Sequence, residues 1–124
     1  MLLSRFDAPA VGLDLTPNLL RMAREKLRAD HHLILGDAER LPLRGGVFDG
    51  VYCITLVQNT PDKRMAASEM KRVTRIHGRV LVTALKAVFS QGFLEDLLDE
   101  VGLGKVSSIG DAGTNDWIVS AENE

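Results

Sequence analysis

Two carboxylates stand where a ligand could use them. Asp14 follows the apolar run Val11-Gly12-Leu13, and Asp37 follows Leu33-Ile34-Leu35-Gly36. Each run suits one short strand, and the residues between them place apolar side chains at helical spacing. A strand–helix–strand unit of this kind is parallel, so both strands finish at one edge. That is the edge at which open α/β sheets take their ligands. A carboxylate there accepts hydrogen bonds through two oxygens. Asp14 suits the diol of a ribose and Asp37 an exocyclic amine, so the pair could hold two parts of one nucleoside.

The remaining chemistry-bearing residues are sparse. Cys53 is the single cysteine, so it has no disulfide partner within the chain and no companion thiol for a metal cluster. It reads first as a small core residue. His31, His32 and His77 fall at element ends with no carboxylate or cysteine at ligand spacing. No metal site is expected. Taken alone, an aspartate before a helix is as ordinary as a cap or turn residue. The four basic residues Arg21, Arg24, Lys26 and Arg28 read as a solvated helix face.

The elements that must position the two aspartates follow from pattern and punctuation. Val11–Leu15 is a buried strand. Thr16 offers an N-cap hydroxyl with Pro17 at the first helical position, and Leu19, Leu20, Ala23 and Leu27 give one apolar face on a helix to about Arg28. His32–Gly36 is the next strand. Phe48–Ile54 is nearly continuous in apolar residues, as for a strand covered on both faces. Asn59 or Thr60 caps a helix running to about Arg75, with Ala66, Met70 and Val73 inward. Gly78 breaks it, and Arg79–Leu85 is a further strand. Ser90 caps another helix, where Phe89 can staple onto Leu94. Its core stripe is Phe93, Leu94, Leu97, Leu98 and Val101, and Gly102 takes the left-handed position after it. Lys105–Ile109 and Asp116–Ala121 form an antiparallel hairpin at the sheet edge.

The totals fit one domain of an ordinary globular protein: 124 residues, 45% apolar and 26% charged. A net charge of −2 lacks the basic surplus of a dedicated nucleic-acid binder. No apolar run approaches the roughly 18 residues of a membrane span, and the first ten residues do not read as a secretory leader. A reducing, cytoplasmic setting is expected from the lone thiol.

Four segments, in order and at matching separations, resemble the class I S-adenosylmethionine (SAM) dependent methyltransferases, in particular the small-molecule and quinone-biosynthesis group. They are VGLDLTPNLLRMAREKL, GDAERLPL, FDGVYCITLVQNTPD and GRVLVTAL. The resemblance covers Val11 to Ala121. It implies a Rossmann-like α/β fold with a mixed sheet closed by a carboxyl-terminal antiparallel hairpin. It also implies SAM as cofactor, with Asp14 and the adjoining Leu15 at the ribose. Asp37 would take the adenine amine, the Ala38 N–H a ring nitrogen, and Cys53 would lie near the sulfonium. Gln58 and Asn59 stand where many relatives carry a histidine, so this loop supplies no evident base. The Asn-Pro-Pro-aromatic signature of amino-methylating relatives is absent.

In that group a first strand and glycine-rich loop come before the segment holding Asp14. Only ten residues precede Val11 here, none of them glycine, and a parallel strand with its crossover needs a dozen or more beyond the strand. The expectation is an amino-terminally truncated domain missing the first central strand, with Met1–Phe6 as the tail of a helix. The edges so exposed should close on each other or pair with a second copy or partner chain. The methyl acceptor is expected to be a small molecule. The competing readings are a non-catalytic interaction module that kept the fold, and a nicotinamide-dinucleotide domain. The latter requires a glycine fingerprint before Asp14 that is not there.

Overall fold

The computed structural model describes residues 10–14, 31–35, 38–54, 61–109 and 115–124, with backbone alone for 10–14, 31–35, Ile54 and Ile109. The helix expected from Thr16 to Arg28, the Met1–Phe6 segment and the loop holding Gln58 and Asn59 lie outside the described residues. The chain divides into two units, Met1–Pro42 and Leu43–Glu124. In the first, β1 (Ala10–Asp14) and β2 (His31–Leu35) form a parallel pair, in register from Ala10 opposite His31 to Asp14 opposite Leu35. Each begins one residue earlier than its apolar run suggests.

The second unit is a mixed sheet backed by two helices. In chain order it holds β3 (Phe48–Ile54), α1 (Lys63–Val73), β4 (Thr74–Leu85), α2 (Gln91–Glu100), β5 (Gly104–Ile109) and β6 (Asp116–Glu122). The strands lie in the order β3-β4-β6-β5, with β3 parallel to β4 and β6 antiparallel to both neighbours. This is the expected mixed sheet with its closing hairpin. Among the described residues the ladders form two sheets, β1-β2 and β3-β4-β6-β5.

Helix α1 starts at Asp62, not at Asn59 or Thr60. The Asp62 carboxylate accepts the Met65 N–H at 3.0 Å, satisfying a donor that the helix itself leaves over. Ala66, Ala67, Met70 and Val73 are buried along its inner face. The helix ends at Val73 rather than Arg75 and passes into β4 without a loop. Thr74 makes the change: its N–H bonds the Lys71 carbonyl and its hydroxyl donates to the Met70 carbonyl at 2.6 Å. Gly78 is therefore not the helix breaker. The backbone turns at His77, which sits at φ 68°, and Gly78 serves a close approach. A Cβ there would stand 2.6 Å from Thr74 Cγ2 and 2.9 Å from the Arg75 and Asp49 carbonyl oxygens.

The ends of α2 follow local rules closely. Ser90 Oγ accepts the Phe93 N–H at 3.1 Å. At the other end Leu103 N–H bonds Leu98 O at 3.2 Å and Gly102 N–H bonds Asp99 O at 3.0 Å, with Gly102 at φ 90°. That pair of bonds is a Schellman motif. Phe93 corrects the expected core stripe, being 41% exposed. Its ring stacks on Phe89, with centroids 5.2 Å apart, because position 93 lies one step round the helix from the buried Leu94, Leu97 and Leu98.

The core lies between the helices and one face of the sheet. Cys53, Val80, Val82, Ala84, Val119 and Ala121 from the strands meet Ala67, Met70, Leu94, Leu97 and Leu98, with Leu103 closing the corner. Among the described residues, strand β3 is covered on one face. Val51 and Cys53 turn toward this core, whereas Tyr52 is 48% exposed. Its ring lies across Gly50, where a Cβ would meet the phenol oxygen at 3.1 Å.

Candidate functional site

Asp14 is the last residue of β1 and pairs with Leu35, the last residue of β2. The two strands therefore end level. Ala38 is half-buried in a turn. Leu15 and Asp37 lie outside the described residues.

In the second unit, β3 and β4 are parallel, with Cys53 opposite Val82 and Ile54 opposite Thr83. Their carboxyl ends share one rim. Cys53 is 6% exposed and belongs to the core cluster, so its thiol is packed among apolar groups while its backbone lies one residue from the end of the strand. The Lys86–Ser90 loop leaves β4 at this rim.

Two charge–charge contacts among the described residues lie at the opposite rim. Arg72 grips Glu69 through two hydrogen bonds, at 2.5 and 3.1 Å, and donates to the Leu43 carbonyl at 2.9 Å. The hydrogen bond to Glu69 leads in raising the guanidinium above its ordinary value, partly opposed by desolvation. Glu122 takes Lys105 at 3.3 Å and His77 at 3.5 Å. The Lys105 hydrogen bond leads in holding its carboxyl below the usual range, against an opposing desolvation effect, with His77 a smaller contributor. His77 thus does meet a carboxylate, one brought from a distant strand that local spacing could not reveal.

Among the described residues no group of three or more His, Cys, Asp or Glu side chains could hold a metal ion. Nor is any described helix long and apolar enough to cross a membrane. A feature the sequence reading missed surrounds the start of α2. Lys63 Nζ lies 5.5 Å from the centre of the Phe89 ring, and Lys86 Nζ lies 4.9 Å from that of Trp117. Trp117 Nε1 donates to the Phe89 carbonyl at 2.8 Å.

The family model described as "Methyltransferase domain" matches residues 1–82. The malonyl-[acyl-carrier protein] O-methyltransferase of Serratia marcescens is 39% identical over 88 residues, 71% of this chain and 32% of that protein. The demethylmenaquinone methyltransferase of Staphylococcus haemolyticus is 36% identical over 72 residues, covering 56% of this chain and 30% of that protein. The chain thus spans about a third of the length of the curated relatives it matches. Among solved structures, the TehB-like SAM-dependent methyltransferase of Corynebacterium glutamicum superposes with a TM-score of 0.81 at 16% identity, over 99% of this chain and 72% of that one. That likeness shows the Rossmann-like methyltransferase fold. By the family match and the relatives together, this chain belongs to the methyltransferase domain family, of the class I SAM-dependent type.

Proposed function

We propose that this chain binds SAM through Asp14 and the Asp37-Ala38 turn and takes part in methyl transfer to a small acceptor. The observation that carries the reading is the level, parallel end of β1 and β2, with Asp14 opposite Leu35. Strand ends that are level support an acid and the start of a second acidic turn sharing one rim, a set of groups suited to an adenosine. The two matched relatives are named for unlike acceptors, a malonyl group on a carrier protein and demethylmenaquinone. What they share with this chain over the matched residues therefore supports the cofactor side of the site, not one acceptor.

When bound, SAM supplies an electrophilic methyl group on a sulfonium. The chain's own part is binding and orientation. Asp14 would accept from the two ribose hydroxyls, Asp37 would accept from the adenine amine, and the Ala38 N–H would donate to a ring nitrogen. Cys53 would border the methionine end through its backbone, since its thiol faces the core. Holding the reactants aligned is a large source of rate in such transfers. None of the described residues is assigned as a general base.

Calorimetric titration with SAM and with S-adenosylhomocysteine, beside Asp14→Ala and Asp37→Ala, tests the reading. Micromolar binding lost in both variants is expected. No heat at millimolar ligand would refute it and leave a fold-only interaction module.

A further inference from the structure

We draw no further inference here: the strongest candidate, the cavity between the last turn of α1, the turn at Gly46 and the residues that follow β6, carries none, because Arg72 and Asn123 in its wall are already held by Glu69 and the Thr74 carbonyl and nothing in the structure shows what would fill it.

Discussion

Replacing Asn123 should loosen the second unit more than any surface change near it. Asn123 is 7% exposed, and its Nδ2 donates to the Thr74 carbonyl at 2.8 Å, with the Lys71 and Arg75 carbonyls at 3.5 Å. Its backbone N–H bonds Gly78 O at 2.9 Å, and its carbonyl accepts the His77 N–H. One side-chain amide thus serves the junction where α1 becomes β4. Asn123→Ala keeps the backbone bonds and removes the donor from carbonyls around Thr74, a residue 1% exposed. Leaving a buried acceptor short of its donor costs about 1–3 kcal/mol. With a urea slope of about 1–3 kcal/mol/M, that is a fall of about 1 M in the unfolding midpoint. Asn123→Asp should be worse, because it sets a carboxylate against the same carbonyl oxygens at almost unchanged volume. Urea unfolding followed by Trp117 emission measures both. An Ala variant within about 0.5 kcal/mol of the wild type, or an Asp variant no worse than the Ala variant, would refute the amide as donor to this junction.

Four further outcomes are expected. Gly78→Ala should cost about 1–3 kcal/mol in the same unfolding assay, because two of the atoms a Cβ would meet are backbone oxygens that cannot swing away. Gly92→Ala is its control: nothing lies within 4 Å of that Cβ, so a better helix former should add about 0.5–1 kcal/mol. Glu122 has its folded pKa depressed, chiefly by Lys105, so its contribution is present above the unfolded carboxylate value and disappears as pH falls through the folded one. Urea midpoints of the wild type should therefore drop more steeply on acidification than those of Glu122→Gln. His77→Gly should relieve a left-handed residue at φ 68° but lose the Glu122 contact, and at neutral pH should be stabilised, since left-handed strain of about 1–2 kcal/mol exceeds an exposed ion pair. A lower melting temperature would contradict that ranking.

What could be read from sequence was mostly what is decided within a few residues. Ser90 and Gly102 delimit α2 because capping is satisfied by atoms three to five residues away. The apolar run around Val80 and Val82 likewise located β4, and two short runs flanking a turn-rich segment located the hairpin at the sheet edge. The start of α1 was misread because Asn59, Thr60 and Asp62 are all competent caps, and only the packing of Ala66 and Met70 chooses among them. Tyr52 and Phe93 read as buried in the sequence because an apolar run does not say which of its faces has a neighbour. Asn123 and the His77–Glu122 contact carry no local signal at all, being made by strands far apart in the chain. For the candidate site, Asp14 was legible as the acid ending an apolar run. The Lys63–Phe89 and Lys86–Trp117 contacts were not, because they join α1 to the start of α2 and β4 to β6.

The strand order β3-β4-β6-β5 carries a consequence for the history of each molecule. Strand β5 is made before β6 yet reaches the sheet only through it, along the ladder that pairs Ser107 with Ser120 and Ile109 with Ile118. Until β6 inserts, β4 presents a bare edge of Val80, Val82 and Ala84, ready to pair with any passing chain. Assembly must therefore end with a late, non-local insertion, the slow kind of step. Changes that delay β6, Asn123 variants among them, should act first as losses of soluble yield during synthesis and only second as losses of equilibrium stability.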